Sequence, residues 1–214
     1  MSRPTAIVYV DGFNLYHRAL HGTSHKWLDL VRMSELLLHD FDIAKVRYFT
    51  ANIKHQPHDP QAPQRQQAYI RALRTDPRID VHLGTFRIDR RYMPMHPLEL
   101  DPNGLPVLVR VRKTEEKGSD VNLATHLLLD GFRRAADAFV VVSNDSDLAE
   151  PMRVLIQEFQ RTVGLVATTK QPSNVLLGTG PQIVRELREG VLGAAQLPAR
   201  LQDEHGTVSK PNSW

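Results

Sequence analysis

The stretch VVVSNDSDLAEPM, residues 140–152, carries the reading of the whole chain. Three valines in succession have the character of a strand buried on both faces, and the run breaks off into Asn144-Asp145-Ser146-Asp147 before a helical pattern begins near Leu148. In open α/β sheets, ligands sit outside the carboxyl ends of strands, near the point where strand order reverses. Two acids directly after such a strand therefore raise the question of whether other acids are aimed at the same place.

Upstream, AIVYV (residues 6–10) is a second apolar run of the same kind, closed by Asp11-Gly12 and followed by a helical pattern through Phe13, Leu15, Tyr16 and Leu20. The pattern then predicts a helix over Leu28 to Leu38, a strand over Ile43 to Ala51, a proline-rich loop, a helix over Gln64 to Arg74 and a strand over Ile79 to Ile88. Beyond it, Pro102-Asn103-Gly104 marks a turn and VLVRVR (residues 107–112) alternates with period two, so a hairpin or extended flap on the sheet edge is expected. A helix over Ser119 to Arg134, the strand Ala138 to Ser143, a helix over Leu148 to Arg161, a strand over Val163 to Thr168 and a last helical piece over Pro181 to Leu192 follow. This alternation predicts a three-layer α/β fold, a mainly parallel sheet flanked by helices. Residues 1–195 form one domain in this reading, with an insertion at about 87–113, and residues 196–214 form a C-terminal tail. From Gln202 to Trp214 the tail is expected to pack back onto the domain, since an exposed Trp214 would waste a large apolar surface.

A chain of 214 residues can bury a real core, and 41% hydrophobic with 24% charged residues is ordinary for a globular protein. The net charge of +3 permits a polyanionic partner without demanding one. The sequence contains no cysteine, which removes disulfides, thiolate nucleophiles and cysteine zinc sites together. Nothing resembles a signal peptide or a run of about 18 apolar residues, so a cytoplasmic location without membrane contact is expected, and a homodimer is compatible with the sequence.

Asp11 closes one apolar run, and Asp145 and Asp147 follow another. A fourth acid, Asp120, stands where Lys117-Gly118-Ser119 reads as a helix start with Ser119 as N-cap. Any one aspartate at a strand end is most often a helix cap, and Asp145 or Asp147 can cap the helix near Leu148. Four at one sheet edge repel one another unless a cation neutralises them, and hard oxygen ligands suit Mg²⁺ or Mn²⁺. Such a site can activate water and stabilise a phosphodiester under attack, so metal-dependent hydrolysis of nucleic acid is expected.

With VDGFNLY at residues 10–16, KGSDVNLATHLLLD at 117–130 and VVVSNDSDLAEPMRVL at 140–155, the chain resembles the NYN domain family of PIN-like, FLAP-nuclease-like ribonucleases. The resemblance implies a metal-dependent endoribonuclease on a PIN-like sheet. Asp11, Asp120, Asp145 and Asp147 would then bind Mg²⁺ or Mn²⁺, while Asn14 positions phosphate or metal-bound water and RNA, single-stranded RNA included, is the partner. His126 stands where many relatives of this kind have a further acid.

Arg87, Arg90, Arg91, Arg110, Arg112 and Lys113 cluster on the expected flap, and Lys117 lies three residues from Asp120. They are candidates to hold phosphates beside the acids, against the alternative of a solvated, charge-protected edge. His17, His21 and His25 recur every four residues, but a zinc site would need the helix to continue through Gly22. Ser119 and Ser143 lack a histidine partner for nucleophilic chemistry, and Gly178-Thr179-Gly180 reads as a plain loop. The alternative to a ribonuclease is a nucleic-acid-binding or regulatory module that keeps the nuclease fold and little catalysis.

Overall fold

The structure, a computed structural model, describes residues 2–55 and 59–214. Its centre is a seven-stranded sheet built from β1 (Thr5–Asp11), β2 (Asp42–Ala51), β3 (Ile79–Pro94), β4 (Leu108–Lys117), β5 (Ala138–Val142), β6 (Thr162–Ala167) and β7 (Ile183–Glu186). The spatial order is β4-β3-β2-β1-β5-β6-β7, and every pairing is parallel except β3 with β4. Strands 1 to 3 thus run out from the centre in one direction and strands 5 to 7 in the other. The reversal falls between β1 and β5, which pair from Ala6 with Ala138 to Val10 with Val142.

Alternation along β1 sorts its side chains into two cores. Ala6, Val8 and Val10 pack with α2 (Leu30–Leu37), α3 (Ala62–Leu73) and α7 (Glu189–Ala194) through Leu30, Met33, Tyr69, Leu73 and Leu192. Ile7 and Tyr9 pack on the opposite face with α4 (Ser119–Arg133), α5 (Ala149–Gln157) and α6 (Asn174–Leu177) through Leu123, Leu127, Met152, Leu155 and Leu176. Burying each such side chain contributes about 1.5–3 kcal/mol, which explains why β1 and β5 tolerate almost no polar residue.

A charged cluster crosses this second layer. Arg47 of β2 makes a bidentate pair with Asp130 of α4 (Nε to Oδ2 2.7 Å, Nη2 to Oδ1 3.1 Å), and the Tyr9 hydroxyl donates to the same carboxylate at 2.7 Å. Arg47 also donates to Asp80 at 3.0 Å, tying β3 to the group. Burial and the Asp130 carboxylate push the Tyr9 hydroxyl well above its ordinary range.

The third strand has two lives. From Ile79 to Gly84 it pairs with β2, and from Thr85 to Pro94 it runs past the carboxyl end of β2 and pairs antiparallel with β4 in an unbroken ladder from Thr85↔Lys117 to Pro94↔Leu108. Ten rungs make an arm about 30 Å long. Its far end turns at Asp101, whose carboxylate accepts from the amides of Asn103 and Leu105, with Gly104 at φ 79°.

One expected element is corrected. Residues 181–192 are not one helix: Ile183–Glu186 is β7, paired with Gly164 to Ala167, and helix α7 starts at Glu189. Without β7 the backbone of β6 would present an unpaired edge, and the β-branched pair Ile183-Val184 suits a pleated surface better than a helix. Residues 200–209 form a small hairpin, β8 (Arg200–Asp203) with β9 (Gly206–Ser209), set against α3 by an Arg71–Asp203 ion pair at 2.7 Å. Trp214 closes on Trp27 (ring centroids 6.2 Å) and Tyr69 (5.8 Å), and the Trp27 Nε1–H donates to the Pro198 carbonyl at 2.8 Å.

Candidate functional site

Where strand order reverses, the chain places Asp11 and Ser143 side by side. Asp11 ends β1 and caps α1 (Gly12–Leu15), its Oδ1 accepting from the Asn14 amide at 3.0 Å. Its Oδ2 accepts from the Ser143 hydroxyl at 2.8 Å, and Ser143 Oγ in turn accepts from the Asp145 amide at 3.0 Å. One hydroxyl therefore ties the carboxyl end of β1 to the start of the segment that carries Asp145 and Asp147. Gly12 allows this corner: a Cβ there would stand 2.7 Å from the Phe49 carbonyl oxygen and from the Tyr48 ring. After Leu15 the helix widens into a π-helical turn, Tyr16–Leu20, and ends.

Asn14 makes the second tie. Its Oδ1 accepts from the Asn144 amide (3.0 Å) and from the Thr168 hydroxyl (2.6 Å) at the end of β6. With both acceptor positions used inward, the Nδ2 donors of Asn14 have no protein partner among the described residues. Asn144 fixes the neighbouring loop by accepting from the Ser173 amide at 2.7 Å. Asp145 caps a 3-10 turn (Ser146–Leu148), accepting from the Asp147 amide at 3.0 Å. Asp147 is exposed in that turn.

Asp120 stands in the first turn of α4. The N-cap differs from the expected Ser119: Gly118 takes the position at φ 97°, a left-handed conformation that favours glycine, and the Glu116 carboxylate accepts from the Ser119 amide at 3.0 Å. Burial, with the negative charges of Asp11, Asp145, Glu116 and Asp147, raises the Asp120 carboxyl to about 6. Burial also raises Asp11, with Asp145 adding repulsion, although the bonds from Asn14 and Ser143 favour its charged form. Residues from β1, β4, α4 and the turn after β5 thus act on one another at the carboxyl edge.

The donor set is all carboxylate oxygen, the chemistry that Mg²⁺ and Mn²⁺ take, and crowding of this kind is what a cation relieves. Among the described residues, however, no three histidine, aspartate or glutamate side chains stand close enough to hold an ion as they are.

Other candidates fall elsewhere. Lys117 pairs with Glu115 at 2.9 Å and Arg87 with Asp89 at 2.9 Å, whereas Arg112 lines a cavity of about 630 Å³ with Lys54, His55 and Gln64. Arg110 is exposed on β4. His126 lies 4.1 Å from His82, ring to ring, next to Phe49 and under the influence of Arg47, Asp130 and Asp80. His17 and His21 adjoin at 6.3 Å, but the chain leaves the helix at His21 and Gly22 has φ 79°, which separates His25 from them. Ser143, Asn144, Thr168 and Glu116 were not among the residues expected at the site. The first three were findable in principle, since each stands at or just past the carboxyl end of a central strand.

Residues 5–179 match the NYN domain. The chain belongs to the NYN domain family. That family is generally one of nucleases, so the chain has a nuclease-like fold, and nucleases of this kind generally use divalent metals and take nucleic acid as substrate. A relative from Pseudomonas putida, named 6-hydroxy-3-succinoylpyridine 3-monooxygenase HspA, is 30% identical over 97% of this chain and 74% of its own length. The crystal structure of a protein of unknown function from Vibrio parahaemolyticus is similar with a TM-score of 0.56, covering 87% of this chain and 94% of that one at 15% identity, a likeness of fold alone. Among the described residues of this NYN protein no helix is long and apolar enough to cross a membrane.

Proposed function

We propose that this NYN protein is a metal-dependent endoribonuclease, with Asp11, Asp120, Asp145 and Asp147 as the side chains that would hold Mg²⁺ or Mn²⁺. The observation that supports the reading is the hydrogen-bond chain from Asp11 through the Ser143 hydroxyl to the Asp145 amide, which ties the ends of β1 and β5 at the switch point, with Asp120 subject to the charges of both acids. The bound ion would supply Lewis acidity toward the phosphodiester and an acidified water. The protein's own groups do the rest. Asn14 Nδ2, left over after its oxygen is committed, donates to a non-bridging phosphate oxygen; Ser143 keeps Asp11 oriented and unprotonated on Oδ2. The β3–β4 arm acts as the flap beside the cleft.

The test is incubation of the purified chain with labelled single-stranded and structured RNA, in Mn²⁺, in Mg²⁺ and in chelator. Internal cleavage abolished by chelator is the expected result. Cleavage that persists in chelator, or none in either metal while RNA still binds, overturns it, the latter in favour of a binding module. The name of the Pseudomonas putida relative favours a second reading, oxygenation of a hydroxylated pyridine, on the strength of 30% identity over nearly the whole chain. Offering 6-hydroxy-3-succinoylpyridine with a reductant and O₂, and following oxygen incorporation by mass spectrometry, separates the two.

A further inference from the structure

The two faces of the β3–β4 arm are chemically different. Paired residues of an antiparallel ladder share a face. The register therefore puts Arg87, Asp89, Arg91, Lys113, Glu115 and Lys117 on one side. There every cation is held by a carboxylate, two to each acid: Asp89 takes Arg87 and Arg91, and Glu115 takes Lys113 and Lys117. The opposite side carries Phe86, Arg90, Tyr92, Arg110 and Arg112, with Glu116 at its inner end, where it accepts from the Ser119 amide. None of its three arginines has a carboxylate partner among the described residues, and all three are exposed.

This second side is the one turned toward the acids. Phe86 meets Phe13 edge to face at 5.6 Å, two residues after Asp11, and His17 stacks on Phe13 at 6.4 Å. Glu116, opposite Phe86 in the ladder, is among the charges that raise Asp120. Arg112 closes the cavity that the segment after β2 forms with Lys54 and His55. A continuous strip thus leads from the acidic centre past Phe13 and Phe86, over Arg90 and Arg112, to Arg110 and Tyr92, the last 65% exposed. Unpaired cations at intervals along a strip, interleaved with aromatic rings, suit a phosphate backbone whose bases are free to stack; a duplex keeps those π-faces to itself.

We propose that this face of the arm is a track for single-stranded nucleic acid, with Arg90, Arg110 and Arg112 on phosphates and Tyr92 and Phe86 beneath unpaired bases. The proposal rests on the nuclease reading above and goes beyond it by assigning one face, and by excluding the ion-paired Arg87 and Lys117 from the track.

Binding is measured by fluorescence anisotropy of a labelled 12-mer RNA, single-stranded or annealed to its complement, with the full chain in chelator so that cleavage plays no part. The double variant Arg110→Ala/Arg112→Ala is expected to weaken single-strand binding by about tenfold or more and to flatten the slope of log affinity against log salt by about 1.4, at about 0.7 per lost phosphate contact. Tyr92→Ala weakens it by about five- to a hundredfold, the range for a lost base stack. Arg91→Ala/Lys113→Ala, on the paired face, shifts affinity less than twofold. Equal losses from both faces, or no loss from Arg110→Ala/Arg112→Ala with circular dichroism unchanged, overturn the track while leaving the nuclease reading standing. Duplex bound as tightly as single strand overturns the stacking half. A wild-type chain that binds neither RNA in chelator overturns the track, while cleavage in Mn²⁺ and Mg²⁺ decides the nuclease reading on its own.

Discussion

Asp11→Asn keeps the size and the Asn14 and Ser143 neighbours of the carboxylate while removing one charge from the acid group. If the acids hold the catalytic ion, RNA cleavage falls by orders of magnitude, RNA binding in chelator holds or improves, and the melting temperature stays level or rises. Cleavage at the wild-type rate would end the metal-nuclease reading. Asp120 gives a prediction in pH. Its carboxyl is raised from 3.8 to about 6 in the folded chain, so the folded state holds that proton more tightly than the unfolded one. Its contribution to stability is present below about 4 and is lost as pH rises through 6. Asp120→Asn removes that dependence, so the melting temperature of the variant relative to wild type, both metal-free, should climb between pH 4 and pH 7. A flat difference across that range would show that the acids do not feel one another. The aspartates could be read from sequence because each ends or begins a strongly patterned element. The ties that orient them could not, since Ser143 and Thr168 gain meaning only when β5 is known to lie beside β1 and β6 beside β5.

Helix α4 brings Asp120 to the site; buried Leu123 and Leu127 pack it on the sheet, and the Arg47–Asp130 pair with Tyr9 anchors its last turn. Arg47 and Asp130 have side chains 15% and 5% exposed, so removing one partner strands a buried charge. Asp130→Ala should cost about 3–5 kcal/mol in urea unfolding, far more than the same change at exposed Asp40, and should lower cleavage by displacing the start of α4. A loss under 1 kcal/mol would mean that water replaces the carboxylate easily. Element by element, the strands were legible wherever apolar runs were long, as at residues 6–10 and 138–142. Strand β7 was not, because four residues with a charged end carry too short a period to distinguish from helix, and only the open edge of β6 decides between them. The arm shows the converse: its alternation was plain, but the difference between its faces depends on register, which a sequence does not print.

At the scale of the whole molecule the sheet is long in one direction only. The parallel core is wrapped on both faces, whereas the arm runs out past the carboxyl edge with Leu98, Leu100 and Leu105 exposed near its far end. The face carrying α3 is closed by the last residues, where the β8–β9 hairpin and Trp214 lie against α3 and Trp27. Trp214→Ala should lower stability by about 1–3 kcal/mol while leaving cleavage per folded molecule unchanged, as judged by melting and activity on the same preparation. The chain has two tryptophans, and both stand in this one contact. Its intrinsic fluorescence is therefore a local gauge: excitation at the indole band interrogates the clasp between the first helical layer and the final residues, and nothing else. RNA settling on the arm should leave that emission untouched, while release of the clasp should shift it to the red before the circular dichroism of the sheet begins to change.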